Sequence, residues 1–223
     1  LVYTMMDPVS EGDAQLRRSY SDLRGEIEAK MDEFLGVWNS GEEEPVLLEL
    51  LFCILTPQSR ARTCWEAVED LRCSDMILRG DREDVLRAVG KVRFKYRKAS
   101  YIIEARERFT VGGRVRIRER IASFEEPAEA RRWLVKNIKG LGYKEASHFL
   151  RNIGLGEDIT ILDRHILKNL LRLKVIDSIP GNLTDGRYLE IEGAMKKYAK
   201  EIGIPVSHLD LLLWHRETGE IFK

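Results

Sequence analysis

Apolar residues recur every three or four positions along nearly the whole chain, a spacing that fits helices and little else. From Gln15 to Trp38, Leu16, Leu23, Ile27, Met31, Phe34 and Leu35 fall near one helical face. Proline and glycine punctuate the remainder. Pro45 fits the first turn of an apolar helix, Val46 to Leu55. The turn Thr56-Pro57-Gln58-Ser59 opens a helix through Leu71, and short helices are expected at about 74–79 and 81–89. A long basic helix follows and breaks at Val111-Gly112-Gly113. Pro127 starts a helix to Ile138, a second ends at Asn152, and Asp163 opens a third to Leu173. Helices from about Thr184 to Glu201 and from Pro205 through His215 complete the pattern. No strand alternation interrupts it, so the chain is expected to be all-α. Its 223 residues suit one large domain or two small ones packed together.

Composition narrows the setting. The chain is 43% hydrophobic and 33% charged, enough to bury a core and remain soluble. No run of eighteen apolar residues exists, so no membrane span is expected, and Leu1–Met6 is too short for a leader. Cys53, Cys64 and Cys73 fit neither a disulfide framework nor the close pairs of a zinc site. Cys53 lies in an apolar run and is expected in the core. Free thiols suit a reducing cytoplasm. His148, His165, His208 and His215 show no ligand spacing, so no metal is expected. Net charge is zero, but residues 1–50 carry 4 basic and 12 acidic side chains, and residues 91–120 carry 11 and 3. That asymmetry marks either a surface facing a polyanion or a solvated helix face.

The stretch "IKGLGYKEASHFL", Ile138 to Leu150, interrupts a good helix with Gly140-Leu141-Gly142. Glycine permits positive φ and close backbone approach. Amide groups of such a hairpin and of the next helix start can then face an anion, while Leu141 packs inward. That is how a helix-hairpin-helix element holds a DNA phosphate without reading sequence. An ordinary glycine cap is the simpler reading of one glycine, and two with an apolar residue between favour the phosphate grip. The segment is no nucleotide P-loop, because Gly142 is followed by Tyr143-Lys144-Glu145.

Lys144 falls in the first turn of the following helix, where a cation is poorly placed. Either it contacts a phosphate, or it works as a neutral amine. An ordinary lysine is neutral in roughly one molecule in 2,500 at pH 7, so freeing the lone pair costs about 4.6 kcal/mol. The helix start, partial burial and nearby cations would lower that cost. Asp163 then stands after the apolar run of "ITILDRHILKNL". It reads as an N-cap, and equally as a fixed carboxylate that steadies a developing cation. An amine nucleophile with such a carboxylate suits cleavage at a sugar C1′.

With "KGLGYKEASHFLRNIG" and "ITILDRHILKNL" in place, the chain resembles the helix-hairpin-helix DNA glycosylase superfamily, and within it the small archaeal-type 8-oxoguanine DNA glycosylase/AP lyases. "LLFCILTPQSRARTCWEAVEDL", "VGKVRFKYRKASYIIEARE" and "HLDLLLWHRETGEIFK" extend the likeness over most of the chain after residue 45. The resemblance implies two helical subdomains, 46–156 with the hairpin motif at about 128–153, and 1–45 with 157–223, and an active cleft between them. It implies a bifunctional glycosylase that removes 8-oxoguanine from double-stranded DNA through a Schiff base on Lys144, assisted by Asp163, followed by β-elimination. Gly140, Leu141 and Gly142 would bind the backbone. Lys223 would help to recognise the base, through its ammonium or its α-carboxylate, with Asp210, Trp214 and Phe222 as further candidates. Gln58 would fill the gap left by the flipped nucleotide. No cofactor is implied, and the protein is expected to be monomeric. Relatives that carry a four-cysteine iron–sulfur cluster differ here, since no cysteine follows Cys73. Two alternatives stand: a glycosylase for another oxidised base, and a non-catalytic helix-hairpin-helix module.

Overall fold

The computed structural model describes residues 11–223. Leu1–Ser10, including the stretch judged too short for a leader, lie outside them. The helices are α1 (Glu11–Asn39), α2 (Glu43–Leu55), α3 (Ala61–Cys73), α4 (Met76–Arg79), α5 (Arg82–Ala88) and α6 (Lys95–Phe109), then α7 (Ile117–Ala122), α8 (Pro127–Asn137), α9 (Tyr143–Asn152), α10 (Arg164–Arg172), α11 (Asp185–Ile202) and α12 (Val206–Thr218). The chain is all-α apart from a small antiparallel ribbon, in which Thr110–Val111 (β1) pairs with Arg114–Val115 (β2) around Gly112–Gly113. The sequence showed there only the end of a helix.

The described chain forms two compact units. A central unit holds Asp32–Gly156 and Lys223, and an end unit holds Glu11 to Met31 with Glu157–Phe222. In the central unit α2 is the core element: Val46 through Leu55 are all buried. A helix apolar on every side is stable only when packed on every side, and α3, α6, α7 and α9 surround it. Each fully buried aliphatic side chain there contributes about 1.5–3 kcal/mol. The C-terminal part of α1 belongs to this unit because Phe34 is buried beneath the Arg151 guanidinium, 5.1 Å from its ring centroid. In the end unit α12 packs against α10 and α11 around Leu209, Leu212, Tyr188 and Met195.

Local chemistry sets the helix ends. Asp81 caps α5 with a capping box, accepting from the Glu83 and Asp84 amides while Asp84 accepts from its own. Helix α7 is different. Arg116 provides no side-chain cap, and the Glu43 carboxylate of α2 accepts the amides of Arg118 (2.6 Å) and Glu119 (3.3 Å) instead. Its start is thus stabilised by a residue far away in sequence, which is why no local signal announced it.

After α9 the chain turns sharply at Gly154, with φ at +75°, and a Cβ there would lie 2.5 Å from Leu35 Cα. Gly154→Ala therefore meets both a left-handed backbone and a backbone clash. A loss of about 2–4 kcal/mol is expected from urea unfolding, and a change below 0.5 kcal/mol would contradict this packing.

Candidate active site

The hairpin between α8 and α9 spans five residues, Ile138 to Gly142. Ile138 leaves the helix in extended conformation, and its amide still bonds Leu134 O at 2.9 Å. Gly140 takes φ +90°, where a Cβ would lie 2.7 Å from Cδ2 of Tyr101. Leu141 is buried and its amide bonds Ile138 O at 3.3 Å. Gly142 is the extended N-cap of α9, and its carbonyl accepts from Ala146 N at 3.0 Å. Buried Arg131 of α8 ties the two helices together, donating to Ser147 Oγ at 3.1 Å and lying over the Tyr143 ring. The Gly142 amide is engaged by Glu145 Oε2 at 3.2 Å. The amides of Gly140 and Lys144 make no hydrogen bond among the described residues, so they are available to an anion.

Lys144 is the second residue of α9, with 27% of its side chain exposed and Nζ 3.5 Å from Glu145 Oε1. Its charge is felt by Cys53, Cys64, Lys98 and His148. Burial pushes the Cys53 thiol up, and the Cys64 thiol up to about 11, so neither competes as a nucleophile near neutrality. His148 sits one turn beyond Lys144. Burial, with the charges of Arg151 and Lys144, holds its imidazole well below the usual histidine range, hence neutral.

His148 opens an aromatic cluster. Its ring meets Phe52 edge-on at 5.4 Å, and Phe52 meets Trp65 edge-on at 5.7 Å. The Lys223 ammonium lies 3.7 Å from the Trp65 ring centroid and pairs with buried Glu49. Glu49 also accepts from Asn152 Nδ2 at 2.9 Å, and Asn152 in turn accepts from Arg151. Burial lifts the Glu49 carboxyl above its ordinary value despite the opposing pull of Lys223. The central unit therefore gathers Lys144, His148 and Lys223 around one aromatic patch, with the Lys223 ammonium committed to Glu49. Sequence reasoning missed Glu49, Phe52, Trp65 and His148. Glu49 did leave a signal: one carboxylate inside the apolar run "VLLELLFCIL" needs a partner.

In the end unit, Asp163 is the N-cap of α10. Its Oδ1 accepts the amides of His165 and Ile166, both at 2.8 Å, and Oδ2 makes no hydrogen bond among the described residues. Capping and an available oxygen thus coexist on one carboxylate. The segment before it is clamped at every residue. Glu192 accepts from Thr160 N (3.1 Å), Asp210 Oδ1 from Ile161 N (3.2 Å), and Tyr188 OH from Leu162 N (3.1 Å). Asp210 is buried, and this bond supports the loop before Asp163. Trp214 is half-buried rather than in the core, and its ring stands edge-on to His165 at 5.3 Å. Its buried indole N–H has no partner among the described residues. Phe222 is half-buried.

Gln58 is exposed at the tip of its turn with φ +56°. Beside it, the Arg93 amide bonds Ser59 Oγ at 3.2 Å, and Phe94, also left-handed at φ +60°, exposes half of its surface. The basic stretch 91–120 divides in two. Lys91, Arg93, Arg97, Arg108 and Arg114 are exposed. Lys98 is buried, Arg106 donates to Gly80 O at 2.7 Å, Arg118 stacks on Trp38, and Arg120 stacks on Trp133. These four make contacts within the protein, although Arg120 is itself exposed, so not every cation of the stretch is free for a polyanion or for solvent alone.

An all-helical chain with this hairpin, and a lysine at the head of the second helix, is a helix-hairpin-helix protein. The family model described as 8-oxoguanine DNA glycosylase matches residues 27–204, and the chain belongs to that family. It is 44% identical over 209 residues to the 8-oxoguanine DNA glycosylase/AP lyase of Fusobacterium nucleatum, covering 94% of this chain and 96% of the relative. It is 39% identical to that of Methanocaldococcus jannaschii, covering 91% and 94%. The crystal structure of the M. jannaschii 8-oxoguanine DNA glycosylase matches with a TM-score of 0.84 and 36% identity over 95% of each chain. The structure of that enzyme with a 15mer DNA containing 8-oxoguanine matches with a TM-score of 0.82 and 34% identity, covering 94% of this chain and all of the other. Among the described residues no helix is long and apolar enough to cross a membrane.

Replacing Lys223 by Met strands the Glu49 carboxylate in a desolvated position, a loss on the order of 3–5 kcal/mol while that carboxylate is charged. An acid raised in the folded state is tolerated when protonated and penalised as pH rises through its folded value. The loss should therefore grow as pH rises above the ordinary carboxylate range in urea unfolding. A Glu49→Gln/Lys223→Met double variant should be flat over the same rise. A pH-independent loss in the single variant would contradict the pairing.

Proposed function

We propose that this protein removes 8-oxoguanine from double-stranded DNA and then cleaves the strand, as a bifunctional glycosylase/AP lyase. The observation that carries the reading is the central unit's arrangement. Two unbonded amides stand at the hairpin, Lys144 follows at the head of α9, and an aromatic patch holding Lys223 adjoins it. The names of the relatives at 44% and 39% identity support the same substrate.

The proposed chemistry follows from these groups. Hairpin residues Gly140–Gly142 hold a DNA phosphate through their amides, with buried Leu141 pinning the turn. The flipped nucleotide presents C1′ to Lys144. The neutral amine bonds to C1′ as the glycosidic bond breaks, and its electron pair leaves with the base, which takes up a proton. Asp163 steadies the cationic sugar through its unbonded Oδ2. Ring opening gives an iminium on Lys144. Loss of a C2′ proton then expels the 3′ phosphate, and water releases the lysine.

8-Oxoguanine differs from guanine at N7, a donor in the lesion and an acceptor in the normal base. A pocket acceptor there favours the lesion and is left unmatched by guanine. Lys223, through its ammonium or its α-carboxylate, is proposed to take part in base recognition, with Asp210, Trp214 and Phe222 as further candidates. Gln58, held outward in a left-handed turn, is proposed to fill the gap in the duplex. The exposed cations of 91–120 add phosphate contacts. The two compact units are proposed as the protein's domains, with the boundary at Asp32 in place of residue 46. A monomer working in the reducing cytoplasm fits the unpaired cysteines.

On an 8-oxoguanine duplex, borohydride should trap a covalent protein–DNA adduct, and Lys144→Gln should give none. Its single-turnover excision should fall at least about a thousandfold, near 4 kcal/mol of barrier. Asp163→Asn, which keeps an oxygen for the cap, should slow excision about a hundredfold. Duplex affinity of Lys144→Gln should still fall steeply with salt. Excision at the normal rate by Lys144→Gln would refute the mechanism.

A further inference from the structure

Lys98 is a lysine on a solvent-rich helix that has been turned inward. Only 4% of its surface is exposed. Its ammonium donates to Leu55 O at 2.6 Å, Pro57 O at 2.7 Å and Ser59 Oγ at 3.0 Å, which accounts for all three protons. None of these acceptors is a carboxylate. Burial pulls the ammonium below the ordinary lysine range, so it resides there at a cost. Where only packing is required, an apolar side chain of similar volume serves as well as a buried charge or better.

The geometry of the three bonds shows what the charge does. Two of them bracket Gln58, at the carbonyl of residue 57 and the hydroxyl of residue 59. The third satisfies a carbonyl at the C-terminal end of α2, where a cation is favoured. Gln58 has φ +56°, a conformation that a non-glycine residue keeps only where its surroundings over-determine it. Other bonds assist: Ser59 N donates to Thr56 O at 3.0 Å, and Thr56 Oγ1 to Cys53 O at 2.9 Å. The first closes the turn across Pro57 and Gln58, and the ammonium braces the same turn from the side, at residues 57 and 59.

We infer that Lys98 is a positioning residue that clamps the Thr56–Ser59 turn from beneath and keeps Gln58 projecting, ready for the gap left by an extruded nucleotide. This rests on the gap-filling role proposed for Gln58. The clamp supplies rigidity where it counts, since a relaxed turn would have to be ordered again each time a base is flipped.

Because Lys98 is also close enough to sense Lys144, the test must separate positioning from a direct effect on the amine. Single-turnover excision of 8-oxoguanine from duplex and from single-stranded oligonucleotide provides that separation, as only the duplex has a gap to fill. Lys98→Met should lower the duplex-to-single-strand rate ratio about tenfold, matching Gln58→Ala. The double variant should be no worse than the poorer single variant, because both changes remove the same element. Equal slowing on both substrates, or losses that multiply in the double variant, would overturn the proposal. An unaltered ratio in Gln58→Ala would instead remove the gap-filling reading, and the clamp with it. Should Lys98→Met fail to fold, Ser59→Ala removes one bond of the three and carries the same comparison. A smaller loss of the ratio, not additive with Gln58→Ala, supports the clamp, and no loss overturns it.

Discussion

Position 140 admits a hydrogen atom and nothing larger. With φ at +90° and the Tyr101 ring where a Cβ would sit, Gly140 turns the chain between α8 and α9. Everything at the head of α9 inherits that placement. Leu141 is driven inward, Gly142 becomes the cap, and Lys144 arrives in the first turn. The unbonded amides of Gly140 and Lys144 follow from the same geometry, since the first amides of a helix have no partner within it. The phosphate grip and the amine nucleophile proposed above would thus both follow from one backbone constraint.

The remaining pieces are held by buried polar groups that brace loops. Glu192 takes the Thr160 amide and hydroxyl, Tyr188 the Leu162 amide and the Thr160 carbonyl, and Asp210 the Ile161 amide. Lys98 does the same for the turn bearing Gln58, and Glu49 does it for Lys223. Such groups contribute little net stability, since each hydrogen bond replaces one made to water. What they add is a single arrangement of chain segments that lack secondary structure of their own. Reactive groups on loops need that support if they are to meet a substrate without reordering.

Elements whose instructions are local were legible in the sequence. The hairpin, the Asp163 cap and the proline-initiated helices α8 and α12 each carry their signals within a few residues. Helix α7 was not legible, because Glu43 caps it from 75 residues away. Nor was the direction of individual basic side chains: Lys98 and Arg97 are neighbours in one charged run, and helical rotation buries the first and exposes the second. Nor did the sequence show that Asp210 would be buried with its Oδ1 on the Ile161 amide. The aromatic patch of Phe52, Trp65 and His148 brings together three helices, and no one-dimensional spacing encodes that meeting. Family resemblance supplied the candidates, and side-chain direction sorted them.

The central claim is that one side-chain nitrogen, at the head of α9, bonds to deoxyribose. Locating the sugar remnant tests it most directly: the wild-type protein is reduced while turning over an 8-oxoguanine duplex, the DNA is digested, and the modified peptide is sequenced by mass spectrometry. The account predicts the remnant on Lys144. A remnant on Lys98, on Lys223 or on an α-amino group would contradict it.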